Sequence, residues 1–210
     1  MEAVAELTRG PARETAIPGV VVFAPQPITD DRGWFSRTLD LAWLEEAGLE
    51  TRFVHHNQSR SRRGVVRGLH VRAGQGEVKL VRCARGAIVD HVVDVRPWSP
   101  VFGRVERFEL DDDSLEQLYL PPFVAHGFQV VSDVADVCYL HSRPYEAGAE
   151  LALAWDDPAL GISWPVVPAI VSDRDASAPR LADLDLGGAF VRAAPSDGQG
   201  EIRRGIGTGT

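Results

Sequence analysis

The sequence predicts an all-β fold, an antiparallel sandwich or barrel with short helices at its periphery, and three observations carry that prediction. Runs rich in Val, Ile, Phe and Tyr recur at intervals of about 8 to 12 residues, bounded by Gly, Pro, Asp or Ser. No long stretch of helical periodicity separates them, which argues against the βαβ units of a parallel sheet. The chain has 210 residues and is 44% hydrophobic, enough for the core of one domain, expected here over residues 1–186.

In chain order, residues 1–15 are polar and aperiodic and read as loose. Val20 to Phe23 form a short strand that Pro25 and Pro27 stop. Asp30-Asp31-Arg32-Gly33 has turn composition, and Trp34-Phe35 begins another strand. Asp40 is placed to cap a short helix from Leu41 to Ala47, with Gly48 to end it. The strand-like runs that follow are 52–59, 65–71, 78–84, 87–95, 105–110, 117–120, 123–131 and 134–140. Beyond Trp164-Pro165 the pattern turns irregular, and Ser177-Ala178-Pro179 opens a short helix through Leu184. From Gly187 onward the tail is Gly-rich and poor in apolar residues, the composition of a disordered segment over 187–210.

The net charge of −8 argues against nucleic acid as a partner, because such binding rests on a basic surface that neutralises phosphate. Arg60, Arg62 and Arg63 are a local exception and read as a solvated edge. Cys83 and Cys138 lie far apart in apolar runs without C-x-x-C spacing, so free thiols in a reducing cytoplasm fit better than a disulfide framework. No signal-peptide pattern and no long apolar run is present, so neither secretion nor a membrane partner is expected.

The residues suited to chemistry concentrate between Gly64 and Asp94. Arg67 and His70 sit at the polar end of one strand and Lys79 opens the next, so successive strands are expected to bring an imidazole and two cations to one wall. Cations beside an imidazole favour its neutral, proton-accepting form, and the combination suits an anionic substrate with a proton to be moved. Such a base needs a carboxylate to orient it. Spacing does not choose one among 30 acidic residues; Asp175 is one candidate, for which a turn or cap role is the alternative. Tyr139, in an apolar strand, fits either core packing or a phenolic acid facing His70 across a pocket.

His126, after Pro121-Pro122, falls at the start of a strand. A metal would need further ligands close by, but His70 is followed by Val71-Arg72 and the H-x-H pair is missing. His55 and His56 are adjacent and point to opposite faces, while His91 and His141 stand singly and read as incidental. No metal is therefore expected. No G-x-S-x-G elbow, P-loop or strand-linked G-x-G-x-x-G occurs, so nucleophilic catalysis and a dinucleotide cofactor lack support and no cofactor is expected.

Several motifs, in order from about Pro18 to Ala178, resemble a known family. They include Asp31 to Phe35, Asn57-Gln58-Ser59, Gly64 to His70, Lys79 to Arg82, Ser99 to Gly103 and Pro121 to Phe128. Trp155 to Pro158, Gly161 to Pro165 and Ser172 to Asp175 complete the set. Together they resemble the dTDP-4-dehydrorhamnose 3,5-epimerases, cupin-fold nucleotide-sugar epimerases of deoxysugar biosynthesis. The resemblance implies a jelly-roll barrel, a homodimer, a dTDP-4-keto-6-deoxyhexose substrate and no metal. It implies His70 as base, Asp175 as its orienting carboxylate and Tyr139 as the opposing acid. Arg32, Asn57, Arg67, Lys79 and His126 would line the substrate pocket, Arg32 that of the neighbouring subunit.

The chain departs from the family pattern at a few positions. Val71-Arg72 replace an aromatic-Gln pair after the histidine, and Arg37 stands for a Glu after the R-G-x-F motif. His55 stands for a Gln two before the Asn, and Leu140 for a Lys after the tyrosine. The resemblance implies epimerisation of that sugar at C3 and/or C5, and these changes point to a specialised deoxysugar pathway and to a single-site enzyme acting at C3 only or C5 only. A 3,4-ketoisomerase on the same scaffold and a non-catalytic nucleotide-sugar-binding cupin are the alternatives.

Overall fold

Alternating side chains sort the strands into two facing antiparallel sheets in the computed structural model, which describes residues 12–191. The strands are β1 (Ala12–Glu14), β2 (Val21–Phe23), β3 (Ile28–Asp30), β4 (Gly33–Phe35), β5 (His55–Arg62), β6 (Val66–Arg72) and β7 (Lys79–Arg85). They continue with β8 (Ala87–Asp94), β9 (Val105–Asp111), β10 (Gln117–Leu120), β11 (Val124–Val130), β12 (Val134–His141) and β13 (Glu150–Ala152). One sheet has the order β1-β2-β10-β7-β12-β5, the other β13-β6-β11-β8-β9, and β3 and β4 pair as a separate hairpin. This is the all-β, cupin-type jelly roll with short peripheral helices that the sequence led one to expect.

The period of two decides what each strand buries. Val81 and Cys83 of β7, Val137 of β12, and Val124, Phe128 and Val130 of β11 meet between the sheets. The alternate residues Val21, Phe23 and Leu80 face outward and are covered by Trp43 and Leu44. Those two belong to α1 (Leu41–Glu46), where the Asp40 carboxylate accepts the Ala42 N–H at 3.0 Å. Such a cap stabilises a helix by about 0.5–2 kcal/mol. On the far side, Leu69, Val71, Val93 and Ala125 pack under Leu153, Leu160, Leu186 and Phe190.

That last layer corrects the expected boundary at Gly187. Asp185 caps α3 (Leu186–Ala189), and Phe190 is buried against Phe123, so the folded body runs at least to the limit of the described residues. Apolar side chains at Leu186 and Phe190 outweigh the glycines between them. The tail from 192 to 210, like residues 1–11, lies outside the described residues. At the other end, Ala12–Glu14 pair with β2 rather than being loose. The helix expected from Ser177 to Leu184 is reduced to a 3-10 turn over Leu181–Asp183, preceded by α2 (Asp173–Ala176), whose cap is Ser172.

Candidate active site

The inter-sheet face that is apolar along most of its length becomes polar at one end. On β7 the interior series runs Cys83, Val81, Lys79, and on β12 it runs Val137, Tyr139, His141. On β11, His126 interrupts the apolar series Val124, Phe128, Val130. These polar positions surround a cavity of about 580 Å³ between the sheets, a size that suits a small-molecule ligand. Asn57 and Ser59 of β5, Arg67 and His70 of β6, and Ser172, Arg174 and Asp175 around α2 complete its wall.

Arg67 and His70 share this wall because of an irregularity. Three residues apart, they would point to opposite faces of a regular strand. β6 and β11 pair with a register shift: His126 lies opposite His70, but Phe128 lies opposite Arg67. One extra residue on β6 therefore restores both side chains to the interior. Gly68 and Gly127 make the bulge possible, for a Cβ on Gly68 would stand 2.4 Å from the Gly127 Cα. Lys79, by contrast, does not share a wall with Arg67 and His70. It enters the cavity from β7, in the facing sheet, because the β6–β7 connection crosses from one sheet to the other.

Asp175 reaches His70 by a local device. Ile170 exchanges backbone hydrogen bonds with Val66 and Gly64, which lays the segment beside β6, and the Ser172 hydroxyl then accepts the Asp175 N–H at 3.2 Å to start α2. The carboxylate Oδ1 lies 2.7 Å from His70 Nε2, and Oδ2 accepts the Gly68 N–H at 3.3 Å. Burial alone would raise the Asp175 carboxyl, but the His70 hydrogen bond and charge, helped by the Gly68 N–H, outweigh it and hold Asp175 below the usual carboxylate range. An ionised Asp175 accepts the Nε2 proton and leaves Nδ1 of His70 with the lone pair. The Glu150 carboxylate stands 3.8 Å from that nitrogen and is itself held by Arg174 at 2.9 Å.

Tyr139 belongs to the facing sheet and lines the same cavity. Burial pushes its phenol well above the ordinary value, so it carries its proton at neutral pH, and its hydroxyl lies 2.9 Å from that of Ser59. His126 is buried, with Nδ1 3.2 Å from Asp90; burial lowers its pKa despite that carboxylate, and the ring stays neutral. Asp90 is fully buried, and its second oxygen has no hydrogen-bond partner among the described residues. The Arg67 guanidinium donates to the Ser61 hydroxyl at 3.0 Å.

Of the site residues expected from the sequence, His70, Asp175, Tyr139, Asn57, Arg67, Lys79 and His126 converge on the cavity. Arg32 does not. It sits at the exposed β3–β4 turn, bound to the Asp30 carboxylate. His141, read as incidental, lines the cavity, and Ser59, Glu150 and Arg174 were missed. His141 and Ser59 each stand two residues from an expected site residue, on the same face, so strand alternation held their signal. Glu150 and Arg174 come from segments without periodicity and left none. His91 is buried edge-on against Trp164 outside the cavity. Arg37, His55, Val71, Arg72 and Leu140 also stand outside the lining. Among the described residues, no group of three or more His, Cys, Asp or Glu side chains is arranged to hold a metal ion.

The family model of dTDP-4-dehydrorhamnose 3,5-epimerase matches residues 14–183. The chain is 39% identical over 165 residues to a dTDP-4-dehydrorhamnose 3,5-epimerase of Methanothermobacter thermautotrophicus, covering 77% of this chain and 89% of the relative. It is 40% identical over 173 residues to a dTDP-4-dehydrorhamnose 3-epimerase of Streptomyces niveus, covering 81% and 84%. The structure superposes with a TM-score of 0.83 on a Legionella pneumophila dTDP-6-deoxy-D-glucose-3,5-epimerase in complex with dTDP-4-keto-L-rhamnose, at 33% identity, covering 89% and 100% of the two chains. A model match across most of the chain, relatives of this identity and coverage, and a shared fold lead to one conclusion: the chain belongs to the dTDP-4-dehydrorhamnose 3,5-epimerase family of isomerases.

Proposed function

We propose that the protein epimerises a dTDP-4-keto-6-deoxyhexose at C3, C5 or both through an enolate, in the biosynthesis of a deoxysugar. The ketone acidifies the protons on both neighbouring carbons. His70, oriented by Asp175, removes one of them through Nδ1, and the electron pair moves onto the ketone oxygen. Lys79 stabilises that developing oxyanion. Tyr139 returns a proton to carbon from the opposite face, and the configuration inverts. Neutral His126 and Asn57 position the sugar. Arg67, and Arg32 of a second subunit, hold the diphosphate, whose oxygens suit multi-donor guanidinium groups. Binding the remote nucleotide orients the reacting carbon.

The observation that supports this reading most is the placement of the base and the acid. His70, 2.7 Å from the Asp175 that α2 delivers, and the protonated Tyr139 come from facing sheets and line one cavity. The test is incubation with dTDP-4-keto-6-deoxyglucose in heavy water. Deuterium at C3 and C5 supports double epimerisation, and label at C3 alone supports the narrower activity named for the Streptomyces niveus relative. Label at neither carbon rejects the reading, and a displaced ketone would mean an isomerase of the 3,4-keto type.

The reading also includes one domain, a homodimer, independence from metal and a cytoplasmic location. Trp34 and Phe35 on the β3–β4 hairpin are 54% and 64% exposed, and apolar rings on a two-stranded hairpin favour a covering partner. Light scattering that found a fully active monomer would reject the dimer. Activity lost on chelation and restored by one divalent ion would reject metal independence. Free Cys83 and Cys138 suit a reducing compartment, and no helix among the described residues is long and apolar enough to cross a membrane.

A further inference from the structure

We propose that Glu77 is a positioning residue for the reaction: it stands behind the cavity wall and holds the Lys79 ammonium, with the His141 imidazole as a second strut, in the place where the oxyanion forms. The inference rests on the reading of Lys79 given above. Glu77 stands two residues before Lys79, in the segment that leads into β7, and His141 is the cross-strand partner of Lys79. One carboxylate oxygen of Glu77 lies 3.5 Å from Lys79 Nζ, and the other lies 3.4 Å from His141 Nδ1 and 3.9 Å from the Arg72 guanidinium. Arg72 ends β6, in the facing sheet. One carboxylate thus gathers three basic groups from two sheets.

Burial makes the arrangement consequential. The Glu77 and Lys79 side chains are each only 8% exposed. Basic groups crowded at such depth repel one another unless an anion lies among them. Burial opposes ionisation of Glu77, but the His141 hydrogen bond and the charges of Lys79, His141 and Arg72 prevail, and its carboxyl lies below the ordinary range. Lys79 and His141 line the 580 Å³ cavity while Glu77 does not; Glu77 faces a separate cavity of about 270 Å³. A group on the far side of the wall touches no substrate and acts through those that do. Arg72 has a second anchor in Glu146 at 3.0 Å, so loss of Glu77 would bear chiefly on Lys79 and His141.

The test is a double-mutant cycle of Glu77→Gln and Lys79→Ala, read as kcat, KM and melting temperature. Misplacing a reacting group by about 1 Å costs roughly 100-fold, so Glu77→Gln should lower kcat roughly 10- to 100-fold with KM within about threefold of wild type. Glu77→Asp, which keeps the charge on a shorter stem, should recover part of that loss. In the Lys79→Ala background, Glu77→Gln should cost little more. Wild-type kcat in Glu77→Gln beside a crippled Lys79→Ala overturns the inference about Glu77 alone. A Lys79→Ala protein at the wild-type rate overturns the oxyanion reading itself, whatever Glu77→Gln does. Fully additive losses also overturn the inference, because Glu77 would then act independently of Lys79. Should Glu77→Gln fail to fold, Glu77→Asp carries the test: a kcat lowered about threefold or more supports the inference and a smaller change rejects it.

Discussion

His70 and Asp175 are separated by 105 residues in sequence and by 2.7 Å in space. His70→Ala should abolish exchange of substrate protons with solvent, since no other imidazole pairs with Asp175. Asp175→Asn leaves the ring in place but lets it turn or take the wrong tautomer, and a general base is worth roughly 10²–10⁴ in rate. Its loss should therefore fall within that range and below that of His70→Ala, measured as deuterium wash-in under single-turnover conditions. An Asp175→Asn protein at the wild-type rate would leave Asp175 as a helix residue and no more. From spacing alone Asp175 was one acid among many, and the motifs around it were what selected it. The Ser172 cap explains why the sequence left it ambiguous: the same residues that look like a helix start also deliver the carboxylate. His141 escaped notice for a different reason. It stands alone as a motif, and its approach to Glu77 comes only with the β7–β12 pairing that sets it opposite Lys79.

Most of the strands were legible from apolar alternation, within a residue or two for β7, β8, β10 and β12. What alternation misreads is β6. A regular strand would have sent Arg67 and His70 to opposite faces, and the glycine that resolves the conflict carries no side chain to reveal it. Gly68 has φ +123°, and a Cβ there meets the Gly127 Cα at 2.4 Å and the His126 carbonyl at 2.8 Å. Backbone has nowhere to retreat at the centre of a sheet. Gly68→Ala should destabilise the protein by more than about 3 kcal/mol or prevent folding, as judged by denaturant titration. Gly74, at φ +64° with nothing within 4 Å, supplies the contrast. Gly74→Ala should cost only about 1 kcal/mol, the conformational term without the clash. Equal effects at the two sites would mean that the bulge relaxes freely and does not set the register of Arg67 and His70.

At the scale of the molecule, one inter-sheet space serves as core at one end and as site at the other, so stability and the site share a titrating group in His126, while His91 is buried outside the cavity. Burial lowers the pKa of both His91 and His126 below the ordinary histidine value. The unfolded chain binds protons at these positions near pH 6.5 and the folded chain does not, so stability is full above that value and falls as the pH drops below it. The melting temperature should decline between about pH 7 and about pH 5, with a shallower slope in His91→Phe, which keeps the edge-on ring against Trp164. A flat profile over that range would contradict the burial of both rings. Asp175 and Asp94 are depressed carboxyls, and their contribution is lost only at still lower pH, as it falls through their folded values. The central claim is that a proton leaves toward one sheet and returns from the other. It is tested most directly by deuterium incorporation set against inversion in Tyr139→Phe. Losing the hydroxyl contact to Ser59 should cost about 1 kcal/mol of stability, so the protein folds and His70 still forms the enolate. The variant should wash deuterium into the substrate at carbon while inverting little of it. Inversion at the wild-type rate would contradict the account, for the proton would then reach the opposite face from another group.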